Sequence, residues 1–220
     1  MKKIYRLIML IPYVSLFFAC GSEKTVDRET FKEIQKSTEI KKVNEAELLE
    51  FTMKWGDQIS GEAQKSLVET LQKAISEKGT SGAVEFCHAE ALPITQEVAD
   101  KHQVAVKRVS LKNRNPANAP NEMETNLLEA YAYNVEQGLE NQPNIQKVDN
   151  GEVLLYTKAI VIPGGICLQC HGDPNAEIEA ATLAKINEKY PQDKATGYKA
   201  GELRGMWSIS IPRKEAIKNM

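Results

Sequence analysis

The stretch Ile145–Ile162, IQKVDNGEVLLYTKAIVI, carries the strongest indication of local structure in this chain. Asp149-Asn150-Gly151 separates two runs with a preference for extended backbone, and Asn-Gly between such runs favours a tight β-hairpin. We therefore predict antiparallel strands over residues 145–148 and 152–162. This hairpin makes a small antiparallel sheet the centre of the expected fold.

Further strands and several helices are expected on either side of the hairpin. Alternating runs at 104–111 (VAVKRVSL) and 205–211 (GMWSISI) predict one strand before it and one after it. Apolar residues at three- and four-residue spacing predict helices, with breaks near Gly56–Gly61 and at Gly79–Gly82. The predicted helices span residues 45–76, 83–101, 122–139 and 176–188. We therefore predict an α+β fold in which N-terminal helices precede an antiparallel sheet flanked by helices.

The composition is that of an ordinary globular protein. The 220 residues are 42% hydrophobic and 26% charged, which suits one domain with a tail. A mean hydropathy of −0.40 excludes a polytopic membrane protein. The 28 basic and 30 acidic side chains give a net charge of −2, so charge offers no case for nucleic-acid binding.

The N-terminal residues have the pattern of an export signal. Met1–Arg6 is basic, and the apolar run Leu7–Ala19 is shorter than the roughly 20 residues that a membrane-spanning helix needs. Cys20 follows Ala19 and resembles the cysteine of the bacterial lipoprotein lipobox, although Phe17 and Phe18 depart from that pattern. A plain signal peptide or an uncleaved anchor is the alternative.

We therefore predict an export signal over 1–19, a lipidated Cys20 with a tether over 20–42, and a domain over 43–215. Loss of the three basic residues in the signal would change the net charge from −2 to −5. An acidic chain is not held at an anionic surface by charge, so any membrane attachment is expected to come from lipid alone. The expected location is the periplasmic face of a bacterial membrane.

The pentapeptide Cys167-Leu168-Gln169-Cys170-His171 has the c-type haem attachment pattern. Two thiols at this spacing reach the two vinyl groups on one edge of a porphyrin, and the following histidine provides an axial ligand. Zinc is an alternative, with Cys87 or His88 as the fourth ligand, and a redox-active dithiol is another. Export favours haem, because bacteria attach haem covalently outside the cytoplasmic membrane. We therefore predict one covalent haem c per chain.

A haem held by His171 needs a sixth ligand, an open position or water. The candidates are Cys87, His88, His102 and the methionines. Cys87 lies on the apolar face of a predicted helix, whereas His88 points about 100° away from it. We favour Cys87 as the ligand and keep His88 as the alternative. The plainer interpretation is that Cys87 is a small, buried hydrophobic residue and that His88 is a solvated surface histidine.

Basic residues surround a loop rich in proline and asparagine. Arg108 and Arg114 are candidates for pairing with the two haem propionates, since guanidinium groups match carboxylates well. Tyr198 and Arg204 are weaker candidates, and a solvated basic loop is the alternative. The glycines of Pro163-Gly164-Gly165 would let the backbone pass close to the porphyrin.

The chain resembles a family of bacterial c-type haem domains with a PAS-like fold, long catalogued as a domain of unknown function. The resemblance covers about residues 45–212, in four stretches: EFCHAEA (85–91), RVSLKNRNPANAPNE (108–122), CLQCHGDP (167–174) and YPQDKATGYKAGELRGMWSISIP (190–212). It implies a PAS-like sheet, His171 as the proximal ligand and Cys87 opposite it. Members occur as exported proteins and as sensor regions of histidine kinases. Since the sequence ends at Met220, we expect no built-in output module here.

These observations predict an exported, lipid-anchored mono-haem protein. The expected role is a redox or gas sensor for CO or NO that signals to a partner, with electron transfer to a membrane redox enzyme as the alternative. We predict no enzymatic activity, because catalysis needs an open distal position with an acid–base histidine, a role left to His88 or His102.

Overall fold

The computed structural model describes residues 28–29 and 43–220, and Val43–Met220 is one compact unit. The predicted export signal, Cys20 and all but two residues of the predicted tether lie outside the described residues. Within the described part, none of the helices combines the length and apolarity required to span a membrane.

The first helix, α1, runs over Glu45–His102 and is interrupted at Gly79. It begins at Asn44, whose side chain accepts a hydrogen bond from the amide of Ala46 at 3.0 Å, an N-cap interaction. Gly79 has φ +69° and ψ 176°, a conformation that suits glycine, and it divides α1 into two arms. The arms fold back on each other, since Glu62 of the first arm contacts His102 at the end of the second at 2.8 Å.

The predicted break near Gly56–Gly61 is wrong, because the first arm continues through it. Gly56 is buried, and a Cβ atom there would overlap the ring of Tyr156. This glycine therefore allows close packing of α1 on the sheet and does not end the helix. The predicted break at Gly79–Gly82 is confirmed at its first residue.

Four antiparallel strands form one sheet in the order β1-β4-β3-β2. Their bounds are β1 Ala105–Val109, β2 Asn144–Val148, β3 Val153–Val161 and β4 Leu203–Pro212. The predicted hairpin is confirmed as β2 and β3. The residues of its turn all have positive φ, of 51° at Asp149, 56° at Asn150 and 87° at Gly151, a region that these residue types tolerate.

The remaining helices are α2 Glu122–Glu136, α3 Leu168–His171, α4 Ala180–Lys189 and α5 Arg213–Asn219. Asn121 and Glu124 form a capping box at the start of α2. Single 3₁₀ turns cover Pro116–Asn118, Asp149–Gly151 and Gly165–Cys167. The sequence did not predict α3 or α5, and it predicted α2 and α4 with slightly different ends.

The sheet is covered on both faces. Tyr156 and Ile209 are cross-strand partners and lie in the main core with Ile59 of α1. On the opposite face, Tyr131 of α2 bonds to Thr157, with 3.0 Å between the hydroxyl oxygens. The α+β prediction is confirmed, and the arrangement is consistent with a PAS-like one. The Cys-x-x-Cys-His segment lies at the end of the sheet, directly after β3.

Candidate functional site

The Cys-x-x-Cys-His segment is a tight backbone turn. Gly164 and Gly165 have φ of +94° and +55°, a left-handed region in which glycine is unstrained. The 3₁₀ turn that follows leads directly into α3, which carries Cys170 and His171. Cys87, Cys167 and Cys170 are free, half-buried thiols. The segment thus presents two unbridged thiols and one imidazole within five residues.

His171 has the tautomer of a metal ligand. Its Nδ1 lies 2.7 Å from the carbonyl oxygen of Ala195, and a carbonyl can only accept, so Nδ1 carries the proton. The Nε2 lone pair is then free for a ligand. Burial, followed by the charges of Arg204 and Arg114, holds the pKa of His171 well below its usual 6.5. The imidazole is therefore neutral at physiological pH.

Residues 190–198, which we call the strap, hold this segment through backbone hydrogen bonds. The amides of Gly197 and Tyr198 donate to the carbonyls of Gly172 and His171 at 2.8 and 2.9 Å. A third bond, from the amide of Lys194 to the carbonyl of Asn113 at 3.1 Å, ties the strap to the loop after β1. The position of His171 thus depends on the strap.

Arg114 joins the loop after β1 to both the strap and the Cys-x-x-Cys-His segment. Its Nε lies 3.0 Å from Oδ1 of Asp193, and its Nη2 donates to the carbonyls of Cys170 and Ala195 at 2.6 and 3.3 Å. The structure therefore places this predicted residue in the site, with its Nε and Nη2 donors bound to protein acceptors.

Arg108 and Arg204 have a different environment. Arg108 lies on β1 with its guanidinium carbon 5.9 Å from the centre of the Trp207 ring. Arg204 is the extra residue of a bulge in β4, since Val161 and Ile160 of β3 pair with Leu203 and Gly205. Its Nη1 donates to the carbonyl of Lys112 at 3.2 Å.

Neither guanidinium forms an ion pair with a carboxylate of the described residues. Burial lowers the pKa of both Arg108 and Arg204 from the usual value, although both remain cationic. Two partly buried cations that lack an acidic partner among the described residues provide a favourable place for the carboxylates of a ligand.

Cys87 and His88 point into different surroundings. Cys87 is half-buried, and burial raises the pKa of its thiol, an effect that nearby Arg108 and Arg114 oppose. The charge of Cys87 also contributes to the raised pKa of Cys170, which is due mainly to burial. Cys87 therefore lies close enough to Arg108, Arg114 and Cys170 for their charges to interact. His88 is exposed, with its ring 5.0 Å from that of Tyr190 in an edge-on arrangement.

His102, another candidate ligand from the sequence, lies apart from this arrangement. It pairs with Glu62 at the far end of α1 and packs edge-on against Trp55, with 6.2 Å between the ring centres. The zinc alternative needed three or more clustered metal-binding side chains, and the described residues contain no such group of His, Cys, Asp or Glu.

Grooves border the arginines. One of about 420 Å³ lies between the second arm of α1 and β1, with Leu92, Val106 and Arg108 in its lining. A smaller one of about 130 Å³ is lined by His88, Arg114 and Tyr190, among others. The larger is within the usual size range of small-molecule sites.

Sequence reasoning missed Asp193 and the Ala195 carbonyl. Both lie in the strap, 79 and 81 residues after the arginine that binds them. A main-chain carbonyl cannot be identified as an acceptor from the sequence, because every residue has one. A single aspartate among polar residues forms no motif with a recognisable spacing.

Comparisons with known proteins agree with this arrangement. The family model described as Tll0287-like matches residues 24–212. Among solved structures, the chain is similar to the crystal structure of the cyanobacterial heme-protein Tll0287. The two are 29% identical, with a TM-score of 0.53, over 77% of this chain and 97% of that one. A comparison with curated proteins gives no match.

Proposed function

This chain belongs to the Tll0287-like family, and we propose that it binds one haem c, attached covalently through Cys167 and Cys170 with His171 as the proximal ligand. The observation that carries the proposal is the neutral His171, whose Nε2 is free while its Nδ1 is hydrogen-bonded at 2.7 Å. The similar cyanobacterial protein, which is called a heme-protein, adds support.

The donor chemistry of the site fits a haem. Cys167 and Cys170 are free thiols at the spacing that thioether attachment requires. Arg108 and Arg204 have no carboxylate partner among the described residues, and they would pair with the propionates. Arg114, the other predicted propionate partner, would contribute mainly through its charge, because its Nε and Nη2 are bound to Asp193, Cys170 and Ala195.

Cys87 is the proposed ligand opposite His171. Its thiol is half-buried, and burial raises its pKa, but the charges of Arg108 and Arg114 oppose this shift and favour the thiolate. His88 is exposed and packs on Tyr190, which makes it the weaker candidate. Since protein side chains would then occupy both axial positions, we propose a role other than an enzymatic one.

The proposed role is redox or gas sensing. Haem, when bound, supplies a one-electron couple and a binding position for CO or NO. Cys87 would bind as a thiolate, which is a strong electron donor and favours the ferric state. Burial raises the pKa of the Cys87 thiol, so a smaller positive charge opposite it would favour the protonated thiol and its exchange for another ligand. The second candidate is electron transfer in the periplasm, which ligand exchange of this kind would slow.

Absorption spectra of the purified protein test the haem proposal. We expect the colour to remain with the denatured chain after acid-acetone extraction, because thioether bonds survive this treatment. Spectra of the oxidised and reduced protein, with and without CO, distinguish the two roles: CO binding after reduction favours sensing, and an unchanged spectrum favours electron transfer. Extractable colour, or stoichiometric zinc without haem, contradicts the proposal.

Substitution of Cys87 and of its neighbour tests the distal ligand. Cys87→Ala should convert the ferric spectrum from low-spin thiolate type towards high-spin and should raise the midpoint potential, because a strong electron donor is lost. His88→Ala is the matched control on the same helical turn and should change neither property. The reverse result would make His88 the ligand and favour an electron carrier.

Export and lipid anchoring are the proposed cellular context. They rest on the basic and apolar N-terminal pattern and on Cys20, all outside the described residues. Cys20→Ala should move the protein from the membrane fraction to the soluble fraction, because acyl chains would be its only attachment. A wild-type protein that is already soluble would refute the anchor and leave the haem proposal intact.

A further inference from the structure

We propose that Arg114 and Asp193 are a positioning pair that sets the hydrogen bond from His171 to Ala195 and, through it, the electron donation of this histidine. The inference rests on the proposed function, since it takes His171 as the proximal ligand. It assigns Arg114 a role other than propionate binding, and it assigns a role to Asp193, which the sequence did not single out.

Asp193 fixes two groups with one carboxylate. Its Oδ1 accepts from Nε of Arg114 at 3.0 Å and from the amide of Ala195, also at 3.0 Å. The side chains of Arg114 and Asp193 are only 13% and 7% exposed, so water competes little for these bonds. A charge-assisted bond in such surroundings is geometrically demanding and holds its partners in place.

Arg114 connects the histidine-bearing segment to the strap that carries its acceptor. From one guanidinium, Nη2 reaches the carbonyl of Cys170 at 2.6 Å and that of Ala195 at 3.3 Å. Cys170 directly precedes His171, so the arginine binds the backbone on both sides of the hydrogen bond formed by the imidazole. The planar fork of arginine allows this simultaneous contact, and the single ammonium of lysine does not reproduce it.

The consequence concerns the basicity of His171. A metal-bound histidine that donates its other N–H to a fixed carbonyl becomes a stronger electron donor, and such outer partners orient the ring. The 2.7 Å bond from Nδ1 to Ala195 is short for this type and depends on where the strap holds that carbonyl. If the pair is loosened, the carbonyl moves, the imidazole donates less, and the reduced form of the bound haem is favoured.

Charge-conserving variants test this role, because they disturb geometry without removing a charge beside the site. We expect Arg114→Lys and Asp193→Glu each to raise the midpoint potential of the holoprotein. The reduced-to-oxidised ratio at fixed potential should rise by up to about tenfold, which is about 59 mV for a one-electron couple. The g-values of the ferric low-spin EPR signal should change in both variants, since they depend on the orientation and donation of the axial imidazole.

Arg213→Lys provides the matched control. Arg213 forms a two-point pair with Glu45, at 3.1 and 2.6 Å, on helix termini that make no contact with His171. This variant should leave both the potential and the g-values unchanged, although it removes the same type of interaction. The double variant of Arg114 and Asp193 should shift the potential less than the sum of the single shifts, because the two residues act as one unit.

The possible failures are distinguishable. Haem that is covalently bound in Arg114→Lys and Asp193→Glu, with wild-type potential and g-values, overturns this inference and leaves the proposed function standing. A shift in Arg213→Lys equal to that in Arg114→Lys also overturns it, because the effect would then be general. A wild-type chain without covalent haem overturns the proposed function, and this inference with it.

Discussion

The helix–sheet core of this protein is stabilised differently from the region of the proposed haem attachment. This attachment region comprises residues 167–171, the strap and the arginines beside them. The core uses regular elements and fully buried apolar side chains, such as Ile59, Leu154 and Ile209. The attachment region uses short turns, backbone hydrogen bonds between the strap and α3, and the contacts of Arg114. One region is built by hydrophobic burial, and the other by polar contacts that leave specific groups available.

The arginines show this difference most directly. Arg213, at the edge of the core, has a carboxylate partner in Glu45 with two hydrogen bonds. Arg108 and Arg204, in the attachment region, lack such a partner among the described residues. A partly buried cation without a counter-charge is unfavourable by itself. Arg213 at the core edge is therefore paired within the protein, whereas a carboxylate-bearing ligand would supply the partner that Arg108 and Arg204 lack among the described residues.

The largest expected effect comes from disturbing the core at Gly56. In Gly56→Ala the new methyl group would overlap the ring of Tyr156, which is fully buried. Overpacking of this kind typically costs about 1–3 kcal/mol, and we expect the upper end of that range or more. Urea unfolding followed by far-UV circular dichroism measures the loss in the free energy of unfolding.

Gly61→Ala is the control for this substitution. Gly61 lies in the same arm of α1, and a Cβ atom there would meet nothing within 4 Å. Alanine is favoured over glycine in a helix by up to about 1 kcal/mol, so this variant should be as stable as the wild type or more stable. Equal destabilisation by both substitutions would mean that Gly56 does not mark a close contact between α1 and the sheet.

The two glycines also explain one error of the sequence-based prediction. Glycine is read as a helix breaker, yet Gly56 serves close packing against Tyr156, a residue 100 positions later in the chain. The hairpin was predicted correctly because its signal, Asp149-Asn150-Gly151, is entirely local. Helix α5 was missed because its seven residues after Pro212 are too few for a periodic pattern.

The site could be predicted from the sequence where its functional groups belong to residues that are close together in the chain. The spacing of Cys167, Cys170 and His171 is by itself enough to indicate the attachment segment. The pairing of Arg114 with Asp193 was not predictable, because it depends on how two loops 79 residues apart meet. The same holds for Arg108, whose lack of a carboxylate partner in the described part of the chain is a property of the packing around it.

A smaller effect is expected from neutralising Arg108. Arg108→Gln should lower the midpoint potential of the holoprotein, because a cation beside the site favours the reduced form, which carries one less positive charge. The size should be on the order of 1 kcal/mol, as for a partly screened charge. Redox titration followed by absorption measures the shift. Arg213→Gln removes the same charge from the core edge. If it shifted the midpoint potential equally, the proposed difference between the two regions would be wrong.

The smallest expected effect is the pH dependence of the pair at the core edge. Hydrogen bonds from Arg213 and then from Lys147 lower the pKa of Glu45 from 4.5 to about 2. Because the pKa is lower in the folded state, this carboxylate contributes stability above pH 4.5 and loses that contribution as the pH falls from 4.5 towards 2. Glu45→Gln should therefore be slightly less stable than the wild type at pH 7.

Urea unfolding of the wild type and of Glu45→Gln between pH 7 and pH 3 measures the difference between their free energies of unfolding. This difference should decrease steadily below pH 4.5. The pair is solvent-exposed, so high salt should reduce the difference at pH 7 as well. Glu50→Gln, in the next turn of α1, removes a carboxylate that has one ion-pair partner, Lys54, among the described residues, and it should show a smaller difference. If the difference in the free energy of unfolding between the wild type and Glu45→Gln did not change with pH, Glu45 would act through packing. Haem content should be unaffected in both variants, because charges that the core satisfies internally contribute to folding and not to ligand binding.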